Sequence, residues 1–222
     1  MGRKNKLKRF EENETFSNLI QPKREEIVKN NYFLKGKWKS YFFKNKNPIV
    51  LELCCGKGEY TLYLADENPK KNYIGIDIKG SRLWSGAKTA LRKNFDNVAF
   101  LRIQIELIGF CFAQDEIDEI WITFPDPQIK YRRTKHRITR PEMLLEFKKI
   151  IKNDGILHLK TDSKFLFGYT LGIVSQIGEI LYAHNDIYKN ENAPKKAKAV
   201  QTFYEKKFLQ QKKSINYMKF RL

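Results

Sequence analysis

Cysteine is scarce in this chain. There are three in 222 residues: Cys54 and Cys55 are adjacent, Cys111 stands apart, and no C-x-x-C pair occurs. That spacing argues against a disulfide framework and a zinc ribbon, predicts no metal, and suits a reducing, cytoplasmic setting. Long apolar runs are missing as well. None approaches the roughly 20 residues needed to span a bilayer, so no membrane anchoring is expected. The basic start, MGRKNKLKRFEEN, has no apolar stretch behind it and does not read as a secretory signal. No repeat at a period of roughly 20–50 residues is visible, which argues against a solenoid. Acids are few: 25 Asp and Glu face 43 Lys and Arg, a net charge of +18. Such a charge leaves the fold open but favours a polyanionic partner, nucleic acid first.

What is present suffices for one well-cored domain, with 41% hydrophobic residues. Residues 1–15 read as a mobile basic arm and 16–222 as a single domain. Leu19 to Phe43 is expected to be helical. From Pro48 onward, strand and helix patterns alternate. Ile49–Leu53, NYIGID, NVAFLRI, EIWITF and GILHLKTD read as strands, and the stretches after 58, 80, 140 and 162 as helices. EILYAHNDIY and SINYMKFRL add two strands joined by a lysine-rich loop without a clear helix, so an antiparallel pair is expected at one edge. The pattern predicts an α/β fold: a Rossmann-like, seven-stranded, mostly parallel sheet with helices on both faces. Ligands of such sheets bind beyond the carboxyl ends of the strands.

Five residues stand at those ends: Glu52, Asp77, Gln104, Asp126 and Asp162. Four are acids in a chain poor in acids. Asp77 closes the second strand about twenty residues after a glycine loop, where a carboxylate can accept both hydroxyls of a ribose. The loop itself, C-C-G-K-G with Gly56 and Gly58, lies between Glu52 and Glu59. Carboxylates there would repel a pyrophosphate and disfavour a nicotinamide dinucleotide. They suit a ligand carrying an ammonium and a sulfonium, which describes S-adenosylmethionine. Glu59 itself reads as an acid favouring a helix N-terminus.

The fourth strand runs into FPDPQIKYRRTKHRITR. Asp126 sits between two prolines that fix its backbone. Lys130, Arg132, Arg133, Lys135, His136, Arg137 and Arg140 follow without an acid, a pattern that would draw a phosphate backbone toward Asp126. Tyr131 could stack on a base. A second basic cluster, PKKAKAVQTFYEKKFLQQKK, holds seven lysines around one acid, Glu205. Glu205 reads either as a charge partner or as a hydrogen-bond acceptor for a base edge.

Taken in order, ELCCGKGE, GIDIKGSR, NVAFLR, FPDPQIK, LKTD and TFYE resemble the motifs of the bacterial tRNA (guanine-N7-)-methyltransferase family, from Pro48 to the C-terminus. The resemblance implies a class I, Rossmann-like methyltransferase. It would use S-adenosylmethionine to methylate N7 of the guanine at position 46 in the variable loop of tRNA. It assigns Glu52, Asp77 and Asp126 to the cofactor site, along with Gly56 and Gly58 of the loop. It puts Gln104 at the adenine, where the family pattern has an acid. Asp126 carries the catalytic expectation. Lys130, Asp162, Thr202, Phe203, Tyr204 and Glu205 match substrate-site positions. Arg132, Arg133, Thr134, Lys135, His136 and Arg137 match the stretch expected to touch RNA. Cys54 stands where the family pattern has a glycine, and Gln128 where it often has an aromatic residue. The competing expectation is a non-catalytic RNA-binding protein with a degenerate cofactor site. Oligomeric state is not legible.

Overall fold

The computed structural model describes residues 3–29 and 32–222. Its centre is one eight-stranded sheet: β1 (Leu19–Ile20), β2 (Ile49–Leu53), β3 (Asn72–Asp77), β4 (Val98–Arg102), β5 (Ile117–Thr123), β6 (Ile151–Thr161), β7 (Glu179–His184) and β8 (Asn216–Arg221). The spatial order is β1-β4-β3-β2-β5-β6-β8-β7. Pairing is parallel up to β6, and β8 runs antiparallel to both β6 and β7. The expected antiparallel edge is therefore present.

Alternation along the strands divides the core between two faces. Leu51, Leu53, Ile74 and Ile76 point toward α5 (Ile108–Cys111), α6 (Pro141–Ile150) and α7 (Lys164–Ile177). Val50, Tyr73, Phe100 and Trp121 pack with α3 (Glu59–Glu67) and α4 (Gly80–Arg92) on the other face. All five residues of β2 are buried, as a central parallel strand requires.

Three expectations are corrected, and the basic arm is described with them. The eighth strand, β1, lies in the stretch expected to be one helix. Pro22 follows it and biases Gln21 away from helical backbone, and Leu19 and Ile20 pair with the edge of β4 at Phe100 and Leu101. Among the described residues of this region, helix is confined to α2 (Arg24–Val28) and a single wide turn at Trp38–Phe42. The basic arm is helical over α1 (Arg3–Asn13), residues 1 and 2 lying outside the described residues. It docks on α4: Asn13 donates to the Gly80 carbonyl (3.0 Å), and Glu12 accepts from Trp84 Nε1 (2.8 Å) and Lys88 (2.9 Å). Finally, the lysine-rich connection contains α8 (Lys195–Lys198) and α9 (Phe203–Gln210), the latter capped by the Thr202 hydroxyl, which accepts from Glu205 N. Charge runs hide such helices because their apolar contacts are few.

Candidate functional site

Strand order reverses between β2 and β5, so the loops above their carboxyl ends diverge and leave a crevice. A cavity of about 680 Å³ opens there. The glycine loop forms its floor. Gly56 and Gly58 have φ of +57° and +71°, and the turn brings Gly58 against the buried ring of Phe100. Cys54 also takes a left-handed backbone, φ +63°, a conformation costing an L-residue roughly 1–2 kcal/mol. Glycine at that position would carry no such strain.

Three strand-end acids converge on this loop. Asp77 Oδ2 accepts from Gly56 N (3.0 Å) and Oδ1 from Lys79 N (2.8 Å), tying the loop to the start of α4. A carboxylate oxygen has a further lone pair for a ligand hydroxyl. Glu52 is buried; its Oε2 accepts from the Thr61 backbone and hydroxyl, and Oε1 from the Thr123 hydroxyl (2.6 Å). Burial outweighs these bonds and pushes its carboxyl up to about 7. Burial, then Asp77, Glu52, Asp126 and Glu106, push the Cys54 thiol up to about 12. Carboxylates therefore surround the Cys54 side of the loop and can face the cationic centres of a ligand, while Lys57, Lys79 and Arg82 stand on the same cavity wall.

Glu52 has a consequence for stability. Its ordinary value is 4.5 and its folded value about 7. Between these the folded protein keeps a proton that the unfolded chain has released. This contribution is complete below pH 4.5 and is lost as pH rises through 7, on the order of 3 kcal/mol in all. Glu52→Gln cannot titrate and should flatten that part of the stability curve. Urea unfolding of both proteins at several pH values across this window measures it; parallel curves would mean Glu52 stays ionised throughout.

Asp126 stands in a loop of unusual backbone. Phe124 and Gln128, on either side of Pro125-Asp126-Pro127, both have positive φ, +47° and +46°. Strain of this kind clusters at functional sites. Asp126 Oδ1 accepts from Gln128 N (3.1 Å). Arg137, expected to face RNA, is buried instead: its guanidinium donates to the Gln128 and Ile129 carbonyls (3.1 and 3.2 Å) and lies over the rings of Phe165 and Tyr169. It braces the loop against α7.

Of the residues singled out from sequence, Glu52, Gly56, Asp77, Gln104, Asp126, Arg133, His136, Thr202, Phe203 and Tyr204 line the cavity. Gln104 accepts from Arg24 (3.1 Å) at its rim. A second concavity of about 640 Å³ continues outward, sharing Asp126, Gln128, Arg133 and His136 and adding Lys130, Arg132 and Lys135. Thr134 instead donates its hydroxyl to the Tyr131 carbonyl, while the Tyr131 ring is 93% exposed. Asp162 pairs with Lys213 (2.8 Å) and is not part of the cavity wall, and Glu205 is fully buried against Lys160. Asp162 turns to Lys213, just past α9, and Glu205 turns from α9 to Lys160 of β6, each lysine offering a nearer partner than the cavity.

Sequence reading missed other residues. Glu59 does more than favour a helix N-terminus: its Oε2 accepts from Phe203 N (2.8 Å), closing α9 over the loop. Lys57 lies 4.3 Å from the Phe203 ring and Arg82 5.3 Å from that of Tyr204. Only the flanking position of Glu59 beside the glycines was visible beforehand.

Residues 46–218 match the model of the family described as "Putative methyltransferase". A tRNA (guanine-N(7)-)-methyltransferase of Christiangramia forsetii is 62% identical over 223 residues, covering all of both chains. One from Bacteroides fragilis is 41% identical, covering 99% of this chain and 86% of that one. Among solved structures, the 16S rRNA methyltransferase KamB aligns with a TM-score of 0.63 at 10% identity, covering 82% of this chain and 90% of that one, a likeness of fold.

Proposed function

The chain belongs to the tRNA (guanine-N(7)-)-methyltransferase family, and from that premise we propose that it methylates N7 of the guanine at position 46 in the variable loop of tRNA. Its methyl donor is S-adenosylmethionine, which supplies an electrophilic methyl on a sulfonium. The residues present fit that group: a glycine-floored cavity with Glu52, Asp77, Glu106 and Asp126 on its wall offers carboxylates to the two cationic centres, and Asp77 stands where ribose hydroxyls need an acceptor. In this reading Glu52 and Asp126 face the methionine end and Gln104 the adenine. Residues 16–222 act as one domain, as the continuous sheet suggests.

The observation that carries the reading is the continuity of the glycine-floored cavity with the basic concavity, the two sharing Asp126. A phosphate backbone drawn to Lys130, Arg132 and Lys135 brings a base to the loop that holds Asp126. Guanine N7 has an in-plane lone pair and is unprotonated near neutral pH, so no general base is needed. The protein's task is to hold N7 in line with the methyl, which is catalysis by proximity. The purine would become cationic as the N7–methyl bond forms and the methyl–sulfur bond breaks, its electron pair returning to sulfur as a neutral thioether, and a fixed carboxylate beside the base would stabilise that charge. The direct test is incubation with tRNA and methyl-labelled S-adenosylmethionine, followed by nucleoside mapping. Label in 7-methylguanosine at position 46 is expected; label at another base or no transfer would overturn the proposal.

The two arginines of the basic loop should separate. Log affinity for tRNA should fall with log salt by roughly 0.7 to 0.9 per phosphate contact. Arg132 is exposed, and Arg132→Ala should flatten that slope by about one contact. Arg137→Ala should leave the slope nearly unchanged and lower turnover, because it frees the Gln128–Ile129 backbone. Binding titrations at several salt concentrations decide; an unchanged slope in Arg132→Ala would remove that residue from the RNA surface.

A further inference from the structure

Two opposite charges lie behind the cavity with no exposed side-chain surface: Lys160 of β6 and Glu205 of α9. The ammonium is 2.8 Å from each Glu205 oxygen and 3.2 Å from the Val200 carbonyl. The rings of Tyr60 and Phe124 flank it at 5.4 and 5.8 Å. Tyr188 donates its hydroxyl to Glu205 Oε1 (2.8 Å). Both carboxylate oxygens are therefore engaged inside the protein, which sets Glu205 apart from Thr202, Phe203 and Tyr204 on the cavity wall.

Stability alone does not account for such a pair. Removing two ions from water costs about as much as their attraction returns, and packed apolar side chains often serve a core equally well. What the pair adds is one defined geometry, and Lys160 stands where two walls meet. Its backbone carbonyl accepts from Phe124 N (2.8 Å), at the start of the strained Asp126 loop. Its ammonium grips α9 directly after Phe203 and Tyr204. One residue thus links the reaction loop to the helix that covers the cavity.

Resting on the methyl-transfer reading above, we propose that Lys160 and Glu205 are positioning residues: their buried ion pair sets α9 against the Asp126 loop and fixes the wall that Phe203 and Tyr204 present to S-adenosylmethionine. Glu205 then acts on the donor side of the reaction and makes no contact with guanine.

Calorimetric titration of S-adenosylmethionine without RNA tests this on Glu205→Gln, Lys160→Met and the double variant, with steady-state kinetics and thermal unfolding alongside. Each single change should weaken RNA-free cofactor binding about tenfold. The double variant, which leaves no orphaned charge in the core, should bind no worse than the weaker single, the non-additivity of a pair acting as a unit. It also decides the matter should a single variant fail to fold. Unchanged RNA-free binding in Glu205→Gln with a raised KM for tRNA would overturn the proposal in favour of a guanine contact. Lowered melting temperatures with unchanged binding by the folded protein would overturn it in favour of a purely structural pair. Failure of the wild type to bind S-adenosylmethionine would instead bring down the functional reading, and this inference with it.

Discussion

Asp126→Asn is expected to lower turnover at saturating tRNA and S-adenosylmethionine by on the order of a hundred- to a thousand-fold, the usual cost of losing one preorganised electrostatic partner. Its melting temperature should hardly move. Asparagine keeps the side-chain oxygen that accepts from Gln128 N, and two prolines, Arg137 and the Phe124–Lys160 hydrogen bond hold the loop independently of the charge. Asp126 is exposed, so the substitution leaves no buried group unpaired. The variant therefore separates charge from shape. Single-turnover methyl transfer measured beside thermal unfolding provides the test. Near wild-type transfer would leave Asp126 as a loop-shaping residue only.

Gly86→Ala should destabilise the protein by about 1–3 kcal/mol and weaken cofactor binding together, although alanine ordinarily improves a helix interior by about 1 kcal/mol. The Cβ at residue 86 would lie 2.5 Å from the Phe100 ring and 2.8 Å from the Lys57 carbonyl oxygen. The ring has little room to retreat: it is fully buried, and a Cβ at Gly58 or Gly75 would also lie only 2.5 or 2.8 Å from it. The carbonyl belongs to the glycine loop, so relief of the clash moves the cavity floor. Gly168→Ala in α7 is the matched control, because a Cβ there meets nothing within 4 Å. It should be neutral or stabilising by up to about 1 kcal/mol. Urea unfolding and cofactor titration of both variants measure these effects. Unchanged stability in Gly86→Ala would mean that the three glycines are not required by the ring.

Local chemistry determined much of this protein. β2 and β3 begin and end on the residues that an apolar run and its flanking turns mark, because a central strand buries both faces and its polar ends stand out. Asp77, the glycine turn and the Pro-Asp-Pro loop were legible for the same reason: each is a short-range constraint on a few consecutive residues. The net positive charge and its clustering after Asp126 pointed to a polyanion without any coordinates. Direction was the missing quantity. Arg137 and Arg132 are five residues apart in one basic run, yet only the carbonyls of Gln128 and Ile129 and the rings on α7 turn Arg137 inward. Glu205 reads as a lone acid among lysines, and nothing nearby in sequence reveals Lys160, 45 residues earlier, as the partner that buries it. Glu59 meets Phe203 across 144 residues in the same way. A side chain's type follows from its own position, but its orientation depends on which distant group can satisfy it at least cost in desolvation, and only the folded sheet brings those groups within reach.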